Sequence, residues 1–426
     1  MLTVACILFF IFLLLGVPIA FAMGLGSVIA VFTADANISS VIIAQKLFSG
    51  VNSFSLMAIP FFMLAGELME AGGISKRLID MAKAFVGHLT GGLGMVDIAT
   101  SVLFAGVSGS AAADTAAVGS MLIPSMKRNG YPAGLAAVIQ ACAGSLGPII
   151  PPSMTMIIYC SLTNLSIGEC FMAGVIPGVL IALSISIITY IHAKKIGIKG
   201  DRKATFAEFL SSIRAGIWAI IMPIIIIGGI VSGFFTPTES GAIAVVYALF
   251  VGLVIYREIK IKDLPRVILK AAAMTGMCLL IVAGASIFSW LVAYGKLPTI
   301  VIEILTNITD SPYLIMILLV FFLLFVGMFI ETISATIICA PILLPVAAAY
   351  GIDAIQFALV MVITLVYAGV TPPVGGVLFI TMGISECKMK DTFKYLGPYL
   401  GAVFFIILLC IFFPQISLLL PNMIFG

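Results

Sequence analysis

Twice in this chain, 221 residues apart, an adjacent pair of prolines interrupts a long apolar run. The first interruption is Gly144-Ser-Leu-Gly-Pro-Ile-Ile-Pro-Pro-Ser153, and the second is Ala368-Gly-Val-Thr-Pro-Pro-Val-Gly-Gly376. Proline lacks the backbone N–H and its ring collides with the preceding turn. The residue before it is pushed out of the α region. Gly147, Pro148, Pro151 and Pro152 therefore forbid a continuous helix in the first copy, and Pro372 and Pro373 do so in the second. The surrounding chain is 62% hydrophobic and only 9% charged, a polytopic membrane composition. Unwound backbone in lipid is tolerated only where protein buries it or a wet cavity receives it. Each interruption is thus a candidate binding site at membrane depth.

Breakers and apolar periodicity predict two short helices at 2–16 and 17–33, parted at Gly16-Val-Pro18, then a polar stretch, 34–50, and a span at 51–70. Met1–Gly16 carries no basic n-region and reads as a retained helix, not a signal peptide. Residues 75–88 set Lys76, Arg77, Asp80 and Lys83 against Leu78, Ile79, Ala82 and Phe85, the pattern of an interfacial helix. Residues 89–127 are apolar but interrupted at Gly106-Val-Ser-Gly-Ser110, and each flank is too short to span. A re-entrant hairpin fits them. A broken helix at 132–163, a span at 171–191 and a basic loop at 192–214 follow.

The second half repeats this plan. Helices at 215–233 and 239–256 precede a span at 271–290, an amphipathic segment at 298–310, a hairpin at 311–349 interrupted at Gly327-Met-Phe-Ile-Glu-Thr-Ile-Ser334, a broken helix at 353–385 and a last span at 396–418. At the same 221-residue offset Gly106 matches Gly327, Thr115 matches Thr336, Pro124 matches Pro345, and Pro177 matches Pro398. The expected fold is all-α and polytopic. It has two repeats, 1–191 and 215–426, each of five transmembrane helices plus one re-entrant hairpin. An odd number of spans per half inverts the second repeat. The basic residues agree: Lys194, Lys195, Lys199, Arg202, Lys203 and Arg214 fall on the same, cytoplasmic side as Arg257, Lys260, Lys262, Arg266 and Lys270. Both termini then face outward. Inverted repeats with broken helices at the midplane are the architecture of secondary transporters.

Half-helix N-termini at such breaks suit a carboxylate. Unwound carbonyls and half-helix C-termini suit a small cation such as Na⁺. The side chains available are Ser108, Ser110, Asp114 and Thr115 at the first hairpin, Ser145 and Ser153 at the first break, Glu331, Thr332 and Ser334 at the second hairpin, and Thr364 and Thr371 at the second break. Asp114 and Glu331 are the most informative, because a carboxylate at mid-membrane needs a partner or a task. Each has a competing role as a helix cap. Glu67 and Glu239 read as interfacial or capping, Asp97 as pairing with a basic neighbour, and His88 and His192 as interfacial. The eight cysteines show no metal or disulfide spacing. Gly106-Val-Ser-Gly109 has the form of an intramembrane serine protease motif but lacks a histidine placed to serve as base. A channel is a further alternative, which paired hairpin tips disfavour. No nucleotide or nucleic-acid motif is present.

Gly106-Val-Ser-Gly-Ser-Ala-Ala-Ala-Asp-Thr115, Gly147-Pro-Ile-Ile-Pro-Pro-Ser153, Phe235-Thr-Pro-Thr-Glu-Ser-Gly241 and Gly369-Val-Thr-Pro-Pro-Val-Gly375 together resemble the large membrane subunit of tripartite ATP-independent periplasmic (TRAP) transporters, over essentially the whole chain. The resemblance implies an elevator-type, ion-transporter-like carrier for Na⁺-coupled uptake of organic acids, such as C4-dicarboxylates or sialic acids, across a bacterial inner membrane. It implies a small four-helix membrane subunit, expected as a separate polypeptide, and a soluble periplasmic substrate-binding protein. By motif position, Ser108, Gly109 and Ser145 would help form one Na⁺ site and Thr332, Gly369 and Thr371 the other. Ser110, Asp114 and Ser153 would lie nearest the substrate. A stand-alone Na⁺/dicarboxylate symporter of the same architecture is the nearest alternative.

Overall fold

A computed structural model describes residues 1–33 and 39–426 as a bundle of helices. The first two, α1 (Leu2–Leu14) and α2 (Ile19–Phe32), part at Gly16, whose φ of +78° needs no Cβ. Residues 34–38 of the expected polar stretch lie outside the described residues. The rest of that stretch corrects the expectation: Val41–Val51 is a helix, α3, joined at a 56° bend to the segment ending in α4 (Ala58–Ala71). The amphipathic segment forms α5 (Ile74–Val86), burying Ile74, Leu78, Met81 and Ala82 and exposing Lys76, Asp80 and Lys83. The first hairpin is α6 (Gly92–Ser108) and α7 (Ala111–Arg128), and the first broken helix is α8 (Ala133–Gly144) and α9 (Met154–Thr163). A 30-residue helix, α10 (Ile167–Ile196), closes this half.

The basic loop is shorter than expected. Thr205 and Glu208 form a capping box that starts α11 (Phe206–Val231), with Thr205 N–H donating to Glu208 at 2.8 Å. Helix α12 (Pro237–Phe250) is started the same way by Thr236 and Glu239, so Glu239 is a cap, as expected. Next come α13 (Leu264–Tyr294), unbroken over 31 residues, and the amphipathic α14 (Leu297–Thr306). The second hairpin is α15 (Pro312–Gly327) and α16 (Thr332–Ala349), and the second broken helix is α17 (Ala354–Ala368) and α18 (Gly376–Ser385). The last span, α19 (Met389–Phe412), begins and ends earlier than expected. The remainder turns into α20 (Gln415–Phe425), because Pro414 interrupts the helix. Among the described residues six helices are long and apolar enough to cross a membrane, seven with the bent pair.

Helices α2 and α3 pack on α13, and α4 on α12 and α13, while the hairpins and broken helices pack on one another and on α10 and α19. The two halves interlock across the breaks: α16 lies against α9, and α18 against α7 and α8. Ion pairs also join the halves. Glu67, expected at an interface or cap, pairs with Lys270 at 2.8 Å, and Glu70 meets the same ammonium at 3.4 Å. Arg77 pairs with Glu258 at 3.0 Å and lies 3.8 Å over the Tyr256 ring. His192 is not in a loop. It rides on α10, bonded to the Ile188 carbonyl at 3.0 Å and stacked on Tyr399.

Candidate functional site

The first hairpin turns at two residues. Helix α6 ends at Ser108, Gly109 takes φ +64°, and the extended Ser110 leads into α7. Gly106 lies earlier than the turn, inside α6, where a Cβ would press on Pro223. The first break runs in tight turns from Ser145 to Pro152, and Ser153 then caps α9, accepting from Met156 N–H at 3.2 Å and donating to the Pro148 carbonyl. The second hairpin turns after Gly327, and Glu331 caps α16, accepting from the N–H groups of Ile333 at 3.0 Å and Ser334 at 3.2 Å. The second break ends at Gly375, with φ +54°. Both proline pairs, Pro151-Pro152 and Pro372-Pro373, are joined by cis peptide bonds.

Each hairpin tip lies on the break of its own half. A Cβ on Gly109 would come 2.7 Å from the Pro152 carbonyl oxygen and 3.0 Å from Met154 N. One on Gly144 would overlap Thr115, one on Gly147 would overlap the Asp114 carboxylate, and one on Gly327 would overlap Ala368. The glycines therefore set how closely tip and break approach. The breaks are tied to each other by Tyr367, whose hydroxyl donates to the Cys142 carbonyl at 3.0 Å.

Between the two tips lies a cavity of about 300 Å³. Its wall gathers the starts of four helices: Ser110, Ala111 and Ala112 of α7, Thr155 of α9, Glu331 and Thr332 of α16, and Gly376 and Val377 of α18. Helix N-termini carry free N–H groups and about half a positive charge each, so the wall attracts an anion. Glu331 is the one ionisable side chain on that wall among the described residues, and no lysine or arginine joins it. Thr155 was not among the sequence candidates. Its signal was its place in the first helical turn after a break, where a hydroxyl faces the space the helix start opens.

The structure sorts the predicted residues. Ser110, Thr332, Glu331, Gly327 and Gly369 reach the cavity. Asp114 and Ser153, expected nearest the substrate, do not. Both are fully buried behind the wall, Ser153 spent on its cap and Asp114 turned toward Gly147 with neither carboxylate oxygen hydrogen-bonded. Asp114 is therefore not a cap. Ser108 and Gly109 stay at the first tip, and Ser108 Oγ accepts from Ser110 N–H at 3.4 Å. Ser145 is buried, donating to Ala141 O at 2.8 Å. Thr371 donates to Tyr367 O at 2.9 Å and borders a separate crevice against Leu400 and Phe404 of α19. Asp97, expected to pair with a base, faces the Gln140 amide instead.

The architecture and sequence both have relatives. The structure of the YdaH transporter of Alcanivorax borkumensis superposes with a TM-score of 0.63 over 98% of both chains, at 13% identity, a likeness of fold. The 2,3-diketo-L-gulonate TRAP transporter large permease protein of Escherichia coli is 40% identical over 95% of each chain. The C4-dicarboxylate TRAP transporter large permease protein of Pseudomonas aeruginosa is 38% identical over 89% of each. The family described as "Tripartite ATP-independent periplasmic transporter, DctM component" matches residues 6–416. With that match, and with hairpins and broken helices converging on one cavity, this multi-pass membrane chain belongs to the DctM family of TRAP transporter large permeases, which are transporters and not enzymes.

Proposed function

We propose that the chain imports an organic acid across a bacterial inner membrane by an elevator motion coupled to Na⁺. It works with a small four-helix membrane subunit and a soluble periplasmic binding protein that delivers the acid. The observation that carries this proposal is the cavity between the tips: four helix starts and three hydroxyls surround it, with no fixed cation, and its one carboxylate, Glu331, is engaged in capping α16. Such a wall holds a carboxylate through oriented N–H groups, the recurring device of transporters with broken helices. Relatives of nearly equal identity are named for different acids, a C4-dicarboxylate and a diketo-gulonate. Overall similarity therefore does not choose among a C4-dicarboxylate, a sialic acid or a similar carboxylate.

Na⁺ is cargo here, and the donor sets suit it. At the first break the Asp114 carboxylate is fully buried with no base paired to it among the described residues, and Ser108, Gly109 and Ser145 at the same tip and break offer hydroxyl and main-chain oxygens. A buried charge of that kind calls for a cation. At the second break Thr332 faces Gly369, whose missing side chain leaves Thr332 Oγ1 about 4 Å from where a Cβ would be. Ser110, Thr155 and Thr332 orient the acid. Both termini and the carboxylate-delivering face are assigned to the periplasm, and the residues 192–214 region to the cytoplasm. Two inverted repeats, 1–191 and 215–426, give one hairpin to each side, and their shared cavity is exposed alternately as hairpins and broken helices slide against α2, α3, α4, α12 and α13.

Reconstitution in liposomes with the small subunit tests this. Uptake of the binding protein's ligand is expected to need both that protein and an inward Na⁺ gradient. Uptake driven by Na⁺ but indifferent to the binding protein would mean a stand-alone symporter.

A further inference from the structure

Asp97 lies on the first arm of the first hairpin with none of its surface exposed. No lysine, arginine or histidine pairs with it among the described residues. The groups that face it are neutral or committed elsewhere. Thr100 and Ser101, three and four residues on, share its helix face, and their buried hydroxyls have no partner. The Tyr131 hydroxyl donates to Gly91 O at 2.7 Å and accepts from Gly94 N–H at 3.3 Å. The Tyr399 hydroxyl on α19 is shared with Thr189 of α10 at 2.9 Å. From α7, Asp114 turns toward Gly147. On α4 and α5, Glu67 and Glu70 pair with Lys270, Arg77 with Glu258 and Lys83 with Asp201, while Lys76 and Asp80 are exposed; Glu208 of α11 pairs with Arg202, and His192 of α10 stacks on Tyr399 and bonds the Ile188 carbonyl. An ionised carboxylate in these surroundings bears a desolvation cost that no nearby charge offsets.

The Gln140 amide supplies the second observation. Its terminal atom facing Asp97 lies 2.5 Å from Oδ1 and 3.0 Å from Oδ2. Were Asp97 ionised, the NH₂ would turn to it and donate to both oxygens. With the amide oxygen facing Asp97 instead, only a protonated carboxyl satisfies it, its O–H donating to the amide. The NH₂ then reaches the main-chain carbonyl of Asp114 at 3.4 Å. Atoms this close leave no room for a metal ion between them.

We propose that Asp97 is a proton-binding site in the first hairpin and that Gln140 communicates its occupancy to Asp114. With the proton bound, Asp97 donates to Gln140 and Gln140 donates to α7. When the proton leaves to water, the amide turns over, donates to the Asp97 carboxylate and releases the Asp114 carbonyl. The state of Asp97 thereby bears on the helix start that forms one wall of the cavity. The infrared arm below stands apart from the transport proposal, and the uptake arm rests on it.

Infrared spectra of the chain in liposomes at neutral pH compare wild type with Asp97→Asn. Wild type is expected to show the carbonyl band of a protonated carboxylic acid that Asp97→Asn removes. A variant that loses only ionised-carboxylate bands overturns the proposal. Gln140→Leu, which keeps the carboxyl, is expected to retain the band at a frequency of weaker hydrogen bonding, and an unmoved band overturns the link through Gln140. Na⁺-driven uptake with both partner proteins is then followed from about pH 6 to about pH 9, over which the ratio of protonated to ionised carboxyl at a titrating site changes about a thousandfold. Wild-type uptake is expected to change several-fold and Asp97→Asn to flatten that profile, whereas superimposable profiles overturn the site's part in transport. If wild type takes up nothing under any condition, the transport proposal fails and the infrared result still decides the proton site.

Discussion

Replacing Gly109 with alanine tests whether the first hairpin tip is held against the first break as the structure has it. Two costs add. The residue keeps φ +64°, and a side chain in the left-handed region costs about 1–2 kcal/mol. The new Cβ would also stand 2.7 Å from the Pro152 oxygen and 3.0 Å from Met154 N. Both atoms are backbone, so neither can swing aside, and relieving the contact shifts Ser153 and the start of α9. Overpacking of this kind costs about 1–3 kcal/mol. Gly130→Ala is the control, because Gly130 has φ +87° and nothing within 4 Å of its Cβ position. It bears the first cost and not the second, and the unfolded-state gain from Gly→Ala cancels between the two. The expected losses are about 1–2 kcal/mol for Gly130→Ala and about 2–5 kcal/mol for Gly109→Ala. Thermal unfolding of the purified protein reads the difference, and uptake in liposomes should fall only for Gly109→Ala, because Thr155 moves with α9. Equal melting temperatures would refute the packing of tip on break.

Three further outcomes are expected. Thr332→Val should raise the Na⁺ concentration for half-maximal uptake about tenfold, the weight of one lost hydrogen-bonding oxygen near a charge. Thr371→Val, whose hydroxyl is already committed to Tyr367, should raise it less, and the reverse order would remove Thr332 from the second Na⁺ site. Thr155→Val should raise KM for the acid several-fold and leave the Na⁺ requirement unchanged; an unaltered KM would take Thr155 off the substrate path. Lys270→Met strands Glu67, whose side chain is 11% exposed, and should destabilise by about 1–3 kcal/mol, between the values for surface and buried pairs. Adding Glu67→Gln should restore most of that loss, and a double variant no more stable than Lys270→Met would show that the Glu67 charge is not stranded there.

Much of this architecture was legible because its determinants are local. Gly16, the Gly109-Ser110 pair and the two proline pairs end helices wherever the chain places them, so hairpins and breaks could be marked residue by residue. The amphipathic α5 was legible from charge against apolar spacing over one turn. Helix α3 was not, since Val41–Val51 is only moderately apolar and buries none of its residues. Its helical state depends on packing against α13. The basic loop was overdrawn because Thr205 and Glu208 read as ordinary polar residues until the capping box closes between them.

The sequence by itself determined where the helices must stop, that the proline pairs recur at a 221-residue offset, and that helix starts and hydroxyls lie beside each break. Those follow from proline and glycine geometry and from the cost of bare backbone in hydrocarbon. Only the tertiary structure decided which polar groups face the cavity. Asp114 and Ser110 are four residues apart on one hairpin, yet the close seat of Gly147 turns Asp114 inward while Ser110 stands at the wall. Likewise Asp97 finds Gln140 and no base, because α8, brought alongside α6 by the fold, presents an amide at that height. Orientation around a helix axis is set by what packs against it, and that information lies in the partner helices.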